Sequence, residues 1–135
     1  MDKSRLERQI TILGEEATNR LIASSVMIFG IGGVGSFTAE AIARCGVGKI
    51  VLVDFDTVSV SNINRQLVAD TTTIGLKKTA VMADRIRKIN PDCKVIEKDI
   101  FVTPENAAEI IGEESVDYVV DAIDKLCDNE NIWFD

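Results

Sequence analysis

Residues 26–56 read VMIFGIGGVGSFTAEAIARCGVGKIVLVDFD. Val26-Met27-Ile28-Phe29 is apolar at every position, the pattern of a strand buried on both faces of a parallel sheet. It runs directly into Gly30-Ile31-Gly32-Gly33-Val34-Gly35. An alanine-rich segment from about Ser36 to Cys45 reads as a helix and closes at Gly46. Lys49 to Val53 is a second buried strand, ending on Asp54, 24 residues beyond Gly30. Strand, glycine turn, helix, strand, acid is the order of a nucleotide-binding βαβ unit.

Each residue type has a physical task. Gly30 permits a tight turn where a Cβ would clash, Gly32 lets the backbone approach a phosphate, and Gly35 lets the helix pack close to the strand. The free N–H groups at the helix start then face an anion, aided by the helix dipole. Asp54 can accept hydrogen bonds from ribose hydroxyls. The competing reading is a glycine-rich turn with no ligand.

The chain has 135 residues, enough for one domain with a core, and is 46% hydrophobic and 27% charged, as expected of a globular protein. No apolar run reaches membrane-spanning length and no secretory signal opens the sequence, so a cytoplasmic location is expected. A formal net charge of −7 argues against a broad nucleic-acid surface in this segment, though not against a local basic pocket. Cys45, Cys93 and Cys127 lie far apart, and histidine is absent. That excludes Ser–His and Cys–His catalysis and points to reduced, structural thiols with no zinc site.

Outside the central unit, residues 1–25 read as a helical arm set apart from the core. Leu6, Ile10 and Leu13 share one face, Gly14 breaks the helix, and a second short helix carries Ala17 and Leu21. Arg5 and Arg8 on this arm fit a solvated face. After Asp54 and Asp56, the polar loop Thr57 to Thr73 is long for an α/β connection and leaves the carboxyl edge of the sheet, where ligands bind. Asn62 and Arg65 are placed there to meet phosphates, and a merely solvated loop is the alternative. Gly75 to Asn90 reads as a helix, with Lys77 and Lys78 in its first turn, where cations are unfavourable unless an anion is near. Lys94 to Lys98 is an edge strand. Thr103 caps a helix that begins at Pro104 and runs to about Ile111. Val116 to Val120 is a fourth strand ending at Asp121. Asp121 and Asp124 emerge into the crevice, where one carboxylate can hold Mg²⁺; Asp121 reads better as a hydrogen-bonded turn residue. The fold expected is α/β and Rossmann-like: one domain over 1–135, a mostly parallel sheet with helices on both faces, and the arm at 1–25. A doubly wound sheet normally continues past its fourth strand, so the chain reads as the front half of a longer domain.

These residues resemble a family, the ThiF/MoeB/ubiquitin-activating type of ATP-dependent adenylating enzyme. The likeness is carried by Arg8-Gln9-Ile10, Gly30 through Gly35, Asp54-Phe55-Asp56, Val58 through Gln66 (VSVSNINRQ), Gly75-Leu76-Lys77-Lys78, Ile89-Asn90-Pro91 and Asp121-Ala122-Ile123-Asp124, in order from about Arg5 to Asp124. FGIGGVGSFTAEAIARCGVG, MADRIRKINPDCKV, residues 101–106 and YVVDAID are similar to the branch that dehydrates threonylcarbamoyladenosine in tRNA.

The resemblance implies ATP and Mg²⁺ as cofactors. It implies that Asp54 binds the ribose, that Gly30, Gly32, Gly33 and Gly35 lie against the phosphates, and that Asp56 belongs to the nucleotide site. Asn62, Arg65 and Lys78 would contact the triphosphate, Asp124 would bind Mg²⁺, and Arg8 would act in trans across a homodimer. The reaction implied is adenylation of a carboxylate, that of threonylcarbamoyl on adenosine 37 of tRNA, followed by cyclisation with loss of water. A sulfur-carrier or ubiquitin-like protein adenylyltransferase, with a sulfur-transfer partner, is the alternative within the family, although CxxC pairs are absent. An NAD-dependent oxidoreductase would share the glycine turn but has no use for Asn62, Arg65, Lys78 and Asp124. A nucleotide-binding fragment without activity is the remaining reading.

Overall fold

The computed structural model describes residues 2–123. In chain order they form α1 (Glu7–Leu13), α2 (Glu15–Ile22), β1 (Ser25–Phe29), α3 (Gly33–Arg44), β2 (Lys49–Asp54), α4 (Lys78–Ile89), β3 (Lys94–Asp99), α5 (Ala107–Glu113) and β4 (Tyr118–Asp121). The four strands pair in parallel, in the order β3-β2-β1-β4. The first three strands step outward in one direction, and the chain then returns to place β4 on the far side of β1. The strand order therefore reverses at β1, and the crevice of such a switch point opens at the carboxyl ends of the strands. No described helix is long and apolar enough to cross a membrane.

The strands are apolar because both faces are covered. Val26, Ile28, Ile50 and Leu52 face a core with Ala39 and Ala43 of α3 and Met82 and Ile86 of α4. Met27, Phe29, Val51 and Val53 face a second, smaller core with Ile110 of α5. The expected Rossmann-like sheet with helices on both faces is thus the observed fold. β3 is an edge strand, as expected.

β1 begins one residue early, at Ser25, and four other element starts differ from the sequence reading, each for a local reason. α3 begins at Gly33, not Ser36, because packing draws the glycines into its first turn despite their poor propensity. α4 begins at Lys78, not Gly75. Gly75 has φ +87°, and residues 75–77 run beside 57–58, with Val58 N–H donating to Leu76 O and Gly75 N–H to Val58 O. Thr103 and Asn106 do exchange cap bonds: Thr103 N–H donates to Asn106 Oδ1 (2.8 Å) and Asn106 N–H to Thr103 Oγ1 (3.3 Å). They bracket a turn, and α5 follows from Ala107. β4 starts at Tyr118 because Asp117 is engaged with Ser25, accepting from its backbone N–H (2.9 Å).

The arm is less detached than its pattern suggests. Leu6 is buried, and a Cβ on Gly46 would stand 2.8 Å from Leu6 Cδ1. Gln9 donates to Cys45 O (3.0 Å), and Leu21 packs on the larger core. Leu13, by contrast, is exposed.

Two contacts fix how α3 and α4 lie together. Asn90 is buried and its Nδ2 donates to Ala43 O (3.3 Å) and Val47 O (3.2 Å), closing the C-terminal end of α3. Asn90→Ala is expected to cost about 1–3 kcal/mol, read as a lower urea midpoint with an unchanged slope. Glu40 of α3 pairs with Arg85 of α4 and with Arg44. The Arg85 guanidinium, with help from Arg44 and against the opposing effect of burial, holds the Glu40 carboxyl below its ordinary value. A depressed carboxylate stabilises above its unfolded pKa, and that contribution disappears as pH falls through the lowered folded value. Glu40→Gln is therefore expected to cost about 1 kcal/mol or less at pH 7, since Arg85 is partly solvated, and less still at pH 3. Urea unfolding at the two pH values reads the difference.

Candidate nucleotide-binding site

The glycine turn is built by close backbone approach. Gly30 has φ +92°, and a Cβ there would lie 2.8 Å from Ala122 O. A Cβ on Gly35 would lie 1.6 Å from Gly30 O, so α3 reaches this position only as glycine. Gly33 differs: a Cβ there would stand 3.9 Å from Arg65 Cγ, an ordinary contact on the side facing the loop.

Asp54 ends β2 beside this turn. Its Oδ2 accepts from Ile31 N–H (2.6 Å) and its Oδ1 from Asp56 N–H (2.8 Å). The carboxylate therefore ties the glycine turn to the end of β2. Each oxygen retains a further lone pair for an outside donor.

The loop after β2 folds back over the sheet edge, anchored by buried Val58, Val68 and Ala69. It is a shaped element with a short 3₁₀ turn, Val60–Asn62, and not merely solvated chain. A cleft of about 430 Å³ opens between it and α4, lined by Asp56, Thr57, Ser59, Asn62, Arg65, Gln66 and Lys78. The structure thus gathers Asp56, Asn62, Arg65 and Lys78, four of the residues singled out in the sequence.

Their donors are poised for an anion. Lys78 is only 6% exposed, yet its ammonium has no hydrogen bond among the described residues; the nearest carboxylate, Asp56, is 3.9 Å away. Asn62 is buried and its Oδ1 accepts from Ser59 N–H (2.9 Å) and Ser59 Oγ–H (3.0 Å). Those bonds fix the amide's orientation and leave its N–H₂ without a partner among the described residues. The Arg65 guanidinium donates to Ser61 O and Asn64 Oδ1, both at 3.0 Å, and is exposed. Both α3 and α4 begin without a side-chain cap and without an acid in the first turn. Open helix starts with the donors of Asn62, Arg65 and Lys78 beside them favour an anion over a cation.

Other expected residues lie elsewhere. Lys77 does not enter the cleft: it pairs with Asp99 (2.6 Å), whose carboxylate raises its pKa. Arg5 donates to Ile89 O and pairs with Asp92. Arg8 is exposed and unpaired among the described residues, outside the cleft lining. Asp121 Oδ1 accepts from Ile123 N–H (3.3 Å), the turn role expected of it. Asp124 lies outside the described residues, and among those described no three metal-ligating side chains cluster. Cys93 is buried and its thiol is pushed up to about 11 by burial, consistent with a structural thiol. Two further residues, Ser36 and Gln66, carry no role in the sequence pattern, yet Ser36 is buried at the start of α3 and Gln66 lines the cleft. A lone serine directly after the last glycine of the turn was the available signal.

Comparison with known proteins agrees with this fold. A family model described as the ThiF family matches residues 6–130, six residues further than the motif likeness that stops at Asp124. A tRNA threonylcarbamoyladenosine dehydratase of Escherichia coli is 48% identical over 115 residues, covering 85% of this chain and 42% of the relative. The Bacillus subtilis protein of the same name is 45% identical over 123 residues, covering 91% and 48%. A crystal structure of the E. coli dehydratase in complex with ATP superposes with a TM-score of 0.87 at 46% identity, covering 91% of this chain and 50% of that one. An adenylyltransferase and sulfurtransferase of Zea mays is 39% identical over 113 residues, covering 84% and 24%. The chain spans about half the length of the dehydratases it matches. With its parallel sheet and glycine turn in the matched region, the chain belongs to the ThiF family.

Proposed function

We propose that this chain forms the ATP site of an enzyme that adenylates a carboxylate, and that the carboxylate is that of threonylcarbamoyl on adenosine 37 of tRNA. The observation that carries the ATP site is Lys78, whose side chain is almost wholly buried and whose ammonium lines the cleft with no hydrogen-bond partner among the described residues. A triphosphate supplies the missing acceptor. The tRNA substrate rests on the names of the two dehydratases at 48% and 45% identity.

In this reading Asp54 receives the ribose hydroxyls, and the Gly30, Gly32, Gly33 and Gly35 turn lies against the phosphates. Asn62, Arg65 and Lys78 hold the triphosphate and stabilise charge on the α-phosphate as pyrophosphate leaves. The carboxylate attacks that phosphorus, and a nitrogen of the same modification then displaces AMP, closing the ring with net loss of water. Catalysis of this kind is positioning and electrostatics and requires no general base from the chain. Mg²⁺ arrives with the triphosphate and needs only one or two carboxylates. Asp56, in the cleft, and Asp124 are the candidates. Arg8, exposed and unpaired on α1, completes a neighbour's site in a homodimer. The reaction takes place in the cytoplasm.

The test is incubation with ATP, Mg²⁺ and tRNA carrying the threonylcarbamoyl group, followed by nucleoside mass spectrometry. A nucleoside lighter by one water, with stoichiometric pyrophosphate, is expected. AMP transfer to the C-terminus of a sulfur-carrier protein, with tRNA unchanged, would favour the chemistry named for the Zea mays relative.

A further inference from the structure

We infer that Ser36 is a positioning residue of the phosphate site: its hydroxyl sets the spacing between the first turn of α3 and the loop that carries Asn62 and Arg65. The inference rests on the ATP reading above.

Ser36 is fully buried in the first turn of α3. Its backbone N–H and its hydroxyl both donate to Gly32 O, at 3.0 and 2.5 Å. Its Oγ in turn accepts from Leu67 N–H at 3.2 Å. A single chain of bonds therefore runs from Leu67 N–H through the Ser36 hydroxyl to the Gly32 carbonyl. Among the described residues it is the one side-chain hydrogen bond between α3 and the 57–73 loop.

Both ends of that chain matter for an anion. In a trans peptide the carbonyl and the following N–H point in opposite directions. With Gly32 O held inward by Ser36, the Gly33 N–H is turned outward from the start of α3. At the other end, Leu67 lies two residues after Arg65. Arg65 itself stands over Gly33, its Cγ and its carbonyl oxygen each 3.9 Å from where a Gly33 Cβ would be. One hydroxyl thus orients the helix-end donor and holds the arginine loop at its working distance from it. Ser36 touches no ligand in this arrangement; it acts through Gly33 and Arg65.

Ser36→Ala isolates the role. Alanine is the better helix former, so α3 itself does not suffer. The loss falls on Leu67 N–H, left unpartnered, and on the loop it held. ATP affinity is expected to fall about tenfold, while adenosine, which has no phosphates, binds as before. In an Arg65→Ala background the same substitution should change ATP affinity by less than about twofold, because the group it positions is gone. Hydrogen exchange on the ligand-free chain should show Leu67 and its neighbours exchanging about tenfold faster, with β1 and β2 unchanged. Ser36→Thr, which keeps the hydroxyl, should restore slow exchange at Leu67. Equal losses for ATP and adenosine, an additive double variant, or unchanged exchange at Leu67 would each overturn the assignment. A wild-type chain that binds no ATP would overturn the nucleotide reading instead, and the exchange experiment would still decide whether Ser36 holds the loop.

Discussion

Lys78→Met is expected to weaken ATP binding at least about tenfold and to leave the protein as stable as before, or more so. The two halves have one cause. Lys78 opens α4, is almost wholly buried, and has no hydrogen bond among the described residues, its nearest carboxylate being the solvated Asp56 at 3.9 Å. A lysine whose side chain is largely buried and whose ammonium is poorly paired gives up hydration with little in return. Methionine keeps the aliphatic stem and removes the charge. A residue retained for packing would lose stability on this change, whereas one retained for an anion loses the ligand and keeps the fold. If turnover is measured, the loss should be larger than in binding, on the order of a hundredfold, because charge builds at the α-phosphate in the transition state. Calorimetry with ATP beside urea unfolding reads both. A variant that binds ATP normally would remove Lys78 from the site.

Gly35→Ala should prevent folding or cost about 3 kcal/mol or more, while Gly33→Ala, two residues away, should fold normally. At Gly35 the new methyl would fall 1.6 Å from Gly30 O, and its neighbours on that side are backbone of the turn itself. Neither α3 nor β1 can retreat without opening the larger core, in which Ile28 and Ala39 are buried. At Gly33 the nearest atoms are 3.9 Å away, so a methyl is accommodated. The cost there should appear in ligand binding, since that methyl would stand between the start of α3 and Arg65. Thermal unfolding of the two variants separates the roles. Equal stability of both would mean that the helix does not depend on close approach at Gly35.

The contrast between these glycines marks what a sequence can disclose. Spacing alone placed Gly30 and Gly35 in a strand-to-helix turn, because only glycine fits where backbones nearly touch. The uninterrupted apolar runs at 26–29 and 49–53 announced strands covered on both faces, and both helix layers are present. Helix starts were less legible. The sequence pattern runs α4 back to Gly75, but the positive φ of Gly75 belongs to the extended segment paired with Val58. Propensity starts α3 after Gly33, whereas tertiary contact draws that glycine into the helix.

For the site, the residues on one loop and one helix start were legible together, and Asp56, Asn62, Arg65 and Lys78 do share a cleft. Lys77 and Lys78 are indistinguishable as neighbouring letters. Only the fold shows that Asp99, from a different strand, draws Lys77 away while Lys78 turns inward. Ser36 was silent for the same reason: its partner Leu67 lies far along the chain. The role proposed for Arg8 lies across a second copy, and a single chain shows it as an exposed cation.

The central claim is that the cleft beneath the 57–73 loop takes a triphosphate. The most direct measurement is a calorimetric titration of the chain with ATP in the presence of Mg²⁺, with NAD as the parallel ligand. Micromolar binding of ATP with no heat from NAD is the predicted result. Binding of NAD in place of ATP would contradict it, because a dinucleotide brings no triphosphate to Asn62, Arg65 and Lys78.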